Sequence, residues 1–192
     1  MGSSPLVVGI GGTVRPDSST ERALEVALES AAAAGAEVER FTGSRLAELP
    51  LYSPSDPARC EAAVELVEAV RRADGVIIAS PGYHASVSGL MKNSLDYLED
   101  LREDTRPYLS RRGVGCIATG AGWQATVATL AAMRAIVHAL RGWPTPLGAA
   151  INTARSESDG EDRQAAFQLQ TVGLEVVEFA RLQQQAAAPS TL

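Results

Sequence analysis

Three short stretches hold the side chains able to bind or react, and each follows an apolar run. The longest is Ser80 to Tyr97, S-P-G-Y-H-A-S-V-S-G-L-M-K-N-S-L-D-Y. It carries an aromatic ring (Tyr83), an imidazole (His84), two hydroxyls (Ser86 and Ser88) and a permissive glycine (Gly82). This suits a flat, partly polar ligand lying against backbone amides. The second stretch is Gly11-Gly12-Thr13-Val14-Arg15-Pro16-Asp17-Ser18-Ser19-Thr20, and the third is Thr119-Gly120-Ala121-Gly122-Trp123-Gln124. Glycines in the third let backbone amides approach a ligand closely.

The second stretch has the makings of a phosphate site. A strand leads in and a helix follows. A helix N-terminus offers free N–H groups and a partial positive charge. Thr13, Ser18, Ser19 and Thr20 add hydroxyl donors, and Arg15 adds a fixed charge able to pair with a phosphate. The nucleoside-triphosphate loop G-x-x-x-x-G-K-[ST] is excluded because no lysine is present. The dinucleotide fingerprint G-x-G-x-x-G fails at its third glycine, where counting from Gly9 places Val14. A terminal monophosphate remains natural. Ser18 to Thr20 can also cap the helix, which is compatible with that role.

These loops must be positioned by alternating strands and helices. Leu6 to Ile10 is apolar, β-branched and too short for a helix. A helix is expected from Glu21 to about Ala34, ended by Gly35. Glu37 to Phe41 alternates as a second strand near an edge. A helix from about Ala58 to Ala73 leads to a third strand, Val76 to Ala79, stopped by Pro81 and Gly82. A helix follows from about Gly89 to Leu101, and Arg102 to Arg106 reads as a solvated turn. Val114 to Thr119 is the fourth strand, and Ala125 to Leu140 the next helix, with Leu130, Met133, Val137 and Leu140 spaced for burial. His138 in that helix reads as structural. Leu147 to Ile151 is the fifth strand, Glu157 to Asp162 an acidic turn, and Gln164 to Gln184 a closing helix. Phe167, Val172, Leu174, Val177 and Leu182 are among its apolar positions. Ala186 to Leu192 reads as frayed. Five alternating strands predict a three-layer α/β/α sandwich in a single domain spanning residues 1–192. In such sheets ligands bind where loops leave the strands' carboxyl ends.

Composition narrows the function. The chain has 192 residues, enough for a sizeable core, with 45% hydrophobic and 21% charged residues. A net charge of −6 argues against a nucleic-acid binder. Cys60 and Cys116 are far apart and in no metal or redox spacing, so they read as reduced thiols of a cytoplasmic protein. No stretch approaches the roughly 20 apolar residues that span a bilayer. No metal-ligand cluster and no nucleophile with an adjacent base is visible.

Pro81-Gly82-Tyr83-His84-Ala85-Ser86-Val87-Ser88-Gly89, continued by Leu90-Met91-Lys92-Asn93-Ser94-Leu95-Asp96, resembles the signature P-x-Y-x-x-S-x-x-G-x-L-K-N-x-[IL]-D of the NADPH-dependent FMN reductase family. The first loop resembles that family's G-S-x-R-x-x-S-x-[NT], with Thr13 in place of serine and Thr20 in place of asparagine. The connecting segment Leu46 to Tyr52 is similar too, and the likeness runs from Val7 to about Val177. It implies a flavodoxin-like fold with a five-stranded parallel sheet in the order 2-1-3-4-5. It implies that Thr13, Arg15, Ser18 and Thr20 hold the FMN phosphate. Pro81, Gly82, Tyr83, His84 and Ser86, with Thr119, Gly120, Ala121 and Gly122, would then surround the flavin ring. Trp123 departs from the pattern: stacking beside the flavin, shielding it and simple packing all stay open, with packing slightly favoured. Lys92, Asn93 and Asp96 are read as mostly structural.

The implied activity is hydride transfer from NADPH or NADH to FMN. The cofactor carries that chemistry, so no catalytic side chain is named. The reduced flavin would be released to a partner monooxygenase, or FMN would stay bound and reduce quinones, azo compounds or nitroaromatics; the sequence does not separate these. The resemblance also implies a homodimer or homotetramer. A flavodoxin-like electron carrier is the alternative, with Arg15 in the phosphate loop against it. A flavin-free interaction module is the other, with the intact loops against it.

Overall fold

The computed structural model describes residues 3–154 and 159–187. Six parallel strands form one sheet: β1 (Leu6–Gly11), β2 (Glu37–Phe41), β3 (Gly75–Pro81), β4 (Gly113–Gly120), β5 (Trp143–Pro144) and β6 (Ala149–Asn152). The order is β2-β1-β3-β4-β5, with β6 also paired to β4. The helices are α1 (Ser19–Ala33), α2 (Gly43–Leu46), α3 (Glu61–Arg72), α4 (Gly89–Asp96), α5 (Trp123–Ala139) and α6 (Asp159–Ala187). A 3₁₀ turn, Tyr97–Leu101, tightens the end of the helix expected from Gly89 to Leu101. The order 2-1-3-4-5 is the expected one, extended by a sixth strand.

The period of two within each strand builds two cores. Val8, Ile10, Val76, Ile78, Val114, Cys116 and Ala118 join one cluster, with Leu66 and Val70 of α3, Leu95 of α4 and Met133 of α5. Val7, Ile77, Ala79 and Ile117 join the other, with Leu24 and Leu28 of α1 and Val172 and Val176 of α6. Both sheet faces are covered, which accounts for near-continuous apolar runs in the central strands. Glycines let α6 sit low on its face. A Cβ on Gly75 would stand 2.4 Å from Val176, and one on Gly115 would stand 2.5 Å from Val172.

Several boundaries differ from expectation for local reasons. β3 runs on through Pro81, which pairs with Thr119 at the last register position. The missing proline N–H is harmless there, and Gly82 makes the next ladder bond, donating to the Thr119 carbonyl at 2.7 Å. α3 begins at Glu61 rather than Ala58, because Arg59 is drawn away into a two-pronged pair with Asp100 at 2.6 and 2.9 Å. α5 begins two residues earlier than expected, at Trp123. The strand expected at Leu147 to Ile151 starts two residues later, as β6 at Ala149, and a separate two-residue strand, β5, precedes it. Thr145 still donates to the Val114 carbonyl at 3.0 Å, but Pro144 and Pro146 flank it without N–H groups, and the chain rejoins β4 only at Ala149.

Of the expected acidic turn, Glu157 and Ser158 lie outside the described residues, while Asp159 to Asp162 are helical. Ala186 and Ala187 are helical too, and residues 188–192 lie outside. Val172 and Val177 are buried on α6, whereas Phe167, Leu174 and Leu182 face outward. His138 is exposed in the last turn of α5.

Arg112, just before β4, is fully buried without a carboxylate partner among the described residues. Its guanidinium donates to the carbonyls of Arg71 at 2.8 Å, Ala73 at 3.0 Å, Tyr108 at 3.1 Å, Ser110 at 3.3 Å and Arg106 at 3.4 Å. Burial lowers its pKa to about 10, so it stays charged at neutral pH and needs those carbonyls. This clamp lies at the amino end of the sheet. Among the described residues, no helix is long and apolar enough to cross a membrane.

Candidate functional site

At the opposite, carboxyl end of the sheet, four loops fan out over a pocket of about 370 Å³. Its walls come from Thr13, Arg15 and Ser18 to Thr20 after β1, Pro81 to Tyr83 at the end of β3, Thr119 to Ala121 at the end of β4, and Thr153 after β6. Of the residues expected at the site, Thr13, Arg15, Ser18, Thr20, Pro81, Gly82, Tyr83, Thr119, Gly120 and Ala121 line it. His84, Ser86 and Gly122 do not; they stand on the loops just beyond. Ser19 and Thr153 line it as well. Ser19 carries the same hydroxyl signal as its neighbours. Thr153 is legible only as the first residue past a strand at the same sheet edge.

The first loop is set by a capping box. Ser18 Oγ accepts from the Glu21 N–H at 3.1 Å, and Glu21 Oε2 accepts from the Asp17 N–H at 3.1 Å. The Ser18 carbonyl accepts from the Arg22 N–H at 3.0 Å. Ser19 and Thr20 in the first turn of α1 therefore have N–H groups with no intrahelical acceptor, at the positive end of the helix. Thr13 Oγ1 accepts from the Arg15 N–H at 3.2 Å, which leaves the Thr13 proton free to donate outward.

Thr20 and Thr119 are almost fully buried, and their hydroxyls meet at 2.6 Å. One must donate to the other, so only one of the two protons remains for a ligand. Among the described residues, Arg15 is the one charged residue lining the pocket and pairs with no carboxylate. One uncompensated guanidinium, several hydroxyl donors and a helix N-terminus select an anion.

The second loop is a two-residue hairpin. Tyr83 donates to the Ser86 carbonyl at 3.0 Å, and Ser86 returns a bond to the Tyr83 carbonyl at 3.1 Å. Its corners, His84 and Ala85, have φ of 52° and 63°. Such left-handed corners favour asparagine and glycine, and cost other residues about 1–2 kcal/mol each. The hairpin leaves the Tyr83 ring 57% exposed at the pocket wall.

Buried Ser88 then ties the loops together. Its Oγ donates to the Gly12 carbonyl at 2.6 Å and caps α4 by accepting from the Met91 N–H at 3.0 Å. Its own N–H donates to Ser80 Oγ at 3.0 Å. Sequence reasoning placed Ser88 in the loop without this role; its position just before a helix is the signal for a cap.

Trp123 does not pack as expected: it opens α5 with 52% of its surface exposed. Asn93 is structural, accepting from the Tyr52 N–H and donating to the Pro50 carbonyl, both at 2.9 Å. Lys92 and Asp96 form an exposed ion pair within α4 at 2.5 Å.

The residues present fit a flavin mononucleotide. The anion-selective end matches a terminal phosphate, and the glycine-lined floor between Gly82 and Gly120 matches a flat ring. Behind Gly82 there is no room for a larger residue, whereas a Cβ on Gly120 would meet Thr126 at an ordinary 3.4 Å. A Cβ on Gly82 would stand 2.7 Å from Thr129 Oγ1 and 3.2 Å from the Ala125 carbonyl.

A profile described as NADPH-dependent FMN reductase matches residues 5–156. The chain belongs to this family. It is 37% identical over 89 residues to an NADPH azoreductase of Bacillus sp. strain OY1-2, covering 46% of this chain and 47% of that one. It is 42% identical over 62 residues to a quinone reductase of Escherichia coli K12, covering 29% and 31%. The chain thus spans at most about half the length of these curated relatives. Among solved structures, an oxidoreductase from Corynebacterium diphtheriae superimposes with a TM-score of 0.77 at 19% identity, covering 93% of this chain and 98% of that one. The flavoenzyme NAD(P)H:(acceptor) oxidoreductase FerB from Paracoccus denitrificans superimposes with a TM-score of 0.72 at 20% identity, with the same coverage. At these identities the structural likeness speaks to fold.

Proposed function

We propose that the protein is an NAD(P)H-dependent flavin reductase that binds FMN in this pocket. The observation that carries the reading is the convergence of Arg15, Thr13, Ser18 and the open first turn of α1 at one end of a glycine-floored slot. Thr13, Arg15, Ser18 and Thr20 would hold the phosphate, and Ser19 joins them. Pro81, Gly82, Tyr83, Thr119, Gly120 and Ala121 would border the ring, with His84, Ser86 and Gly122 supporting the loops around it.

Bound FMN supplies two-electron chemistry, accepting a hydride from NADPH or NADH and passing electrons to an acceptor. The chain's own residues bind, orient and shield. Among the described residues that line the pocket there is no carboxylate, imidazole or thiol to act as a general acid or base. That is consistent with direct hydride transfer and gives no reason to name a catalytic side chain. Tyr83, exposed at the wall, is the residue best placed to meet an incoming flat donor or acceptor.

Two uses of the reduced flavin follow: delivery to a partner monooxygenase, or reduction of an azo compound or quinone by an enzyme that keeps its FMN. The names of the curated relatives favour the second. We also infer a cytoplasmic homodimer or homotetramer. Free Cys60 and Cys116 support the compartment, and the outward-facing Phe167, Leu174, Trp123 and Val127 support a partner surface.

The test is the visible spectrum of the purified protein with added FMN, before and after anaerobic NADPH. A perturbed band that bleaches supports the reading. An FMN-bound protein that NADPH does not bleach would be an electron carrier instead. Absence of FMN binding would overturn the assignment of the loops. Light scattering at a monomer mass would overturn the oligomer.

A further inference from the structure

The hairpin carrying Tyr83 is closed by two backbone bonds between Tyr83 and Ser86. His84 and Ala85 occupy left-handed corners that their side chains disfavour, so an external clamp offsets the strain. The clamp is on α5. Thr129 is fully buried, and its Oγ1 donates to the Ser86 carbonyl at 3.3 Å. The same oxygen is the atom that a Cβ on Gly82 would strike, at 2.7 Å. One hydroxyl thus touches both stems of the hairpin, at Gly82 and at Ser86.

The contrast with Thr126, one turn earlier, is informative. Thr126 is equally buried, but its hydroxyl donates back to its own helix, to the carbonyls of Gly122 and Trp123 at 3.2 and 3.1 Å. That is the usual local outlet for a helical threonine. Thr129 instead donates across to another element.

We propose that Thr129 is a positioning residue for the site: its hydroxyl sets the height and tilt of the Tyr83 hairpin over the pocket, and through the hairpin tunes FMN binding. The inference rests on the flavin reading above. It goes beyond that reading in making α5, an element that the signature loop does not include, responsible for the loop's geometry.

The test compares Thr129→Val, which keeps shape and loses the donor, with Thr129→Ser, which keeps the donor. Thr145→Val is the control: a buried hydroxyl bonded to the Leu147 carbonyl at 2.9 Å, at the far end of the sheet. FMN affinity is read by quenching of flavin fluorescence, and ring geometry by circular dichroism in the visible flavin band. Hydrogen exchange at the Tyr83 and Ser86 amides of ligand-free protein reports the hairpin itself.

Thr129→Val is expected to weaken FMN about tenfold, to change the visible dichroism and to speed exchange at both amides. Thr129→Ser should stay close to wild type, and Thr145→Val should change none of the three. Unchanged affinity and dichroism in Thr129→Val would overturn the proposal. So would equal losses in the valine and serine variants, which would make the site sensitive to packing rather than to the hydroxyl. If wild type itself fails to bind FMN, the flavin reading falls. The exchange rates then decide separately whether Thr129 holds the hairpin.

Discussion

Gly43→Ala is the sharpest probe of the phosphate loop, because Gly43 is not itself a proposed ligand contact and acts only by displacing the backbone of Thr13. Gly43 opens α2 and lies directly under the loop. A Cβ built on it would stand 1.4 Å from the Thr13 carbonyl oxygen, 2.3 Å from that carbonyl carbon and 2.8 Å from Val14 Cα. Real Cβ contacts essentially never fall under 3.0 Å, so loop and helix must part by about 1.6 Å. The obstacle is backbone, which cannot swing aside as a side chain would. Displacing Thr13 also displaces Arg15, whose N–H bonds Thr13 Oγ1. A misplacement on the order of 1 Å at a preorganised site costs about 100-fold, so FMN affinity should fall by at least that factor, about 2.7 kcal/mol. Overpacking adds a loss of about 1–3 kcal/mol in folding stability. The assay is FMN titration by fluorescence quenching, with urea unfolding of the ligand-free protein alongside. Gly89→Ala is the matched control, since a Cβ there meets nothing within 4 Å. A folded Gly43→Ala protein that binds FMN within about threefold of wild type would refute the reasoning.

Arg15→Ala should weaken FMN by about 10- to 100-fold while leaving riboflavin, which lacks the phosphate, unchanged; parallel titrations check this. Ala85→Gly removes the left-handed penalty at φ 63° and should raise the urea midpoint by the equivalent of about 1 kcal/mol. Burial pushes the Cys116 thiol up to about 12 from its ordinary 9.0. Across that window the unfolded chain has lost a proton that the folded one retains, so this thiol makes stability fall as pH rises from 9 toward 12. Cys116→Ala should flatten that part of the stability–pH curve. The same burial should keep Cys116 from a thiol reagent until the protein unfolds, while half-buried Cys60 reacts in the native state.

The architecture was legible because central strands buried on both faces leave near-continuous apolar runs, as in Val76 to Ala79 and Val114 to Thr119. The phosphate loop was legible because its cap, hydroxyls and arginine are local in sequence. What the sequence hid depends on other elements. Pro81 reads as a strand stop, yet pairs with Thr119 because the strand's last position needs no donor. Leu147 to Ile151 reads as a strand, but two prolines upstream decide where the chain can rejoin β4. Phe167 and Leu174 carry the helical spacing of core residues, and only the packing of α6 shows that they face outward. Thr129 gives no sequence signal at all, because its partner is 43 residues away.

The distribution of donors among the described residues suits this pocket to an anion at the end where β1 meets α1. Ladder bonds extend past the strand ends, from Gly12 to Ala79, Gly82 to Thr119 and Thr153 to Gly120, so the loops emerge with those N–H groups already satisfied. The donors left over are hydroxyls and first-turn amides, clustered where β1 meets α1. Among the described residues, other ionisable groups stand outside the lining: Asp17 and Glu21 face each other on the outer side of the first loop, Asp100 pairs with Arg59, and the buried guanidinium of Arg112 sits at the other end of the sheet. A neutral wall of hydroxyls, amides and one tyrosine with a single guanidinium at its far end can hold an anionic, flat cofactor without perturbing protons near its ring. Introducing a carboxylate at Thr153, on the pocket wall next to Gly120, should therefore disturb a bound flavin more than removing any one hydroxyl does. Thr153→Asp would be expected to weaken FMN more than Thr153→Ala, and equal effects would mean that the ring end of the pocket does not sense charge.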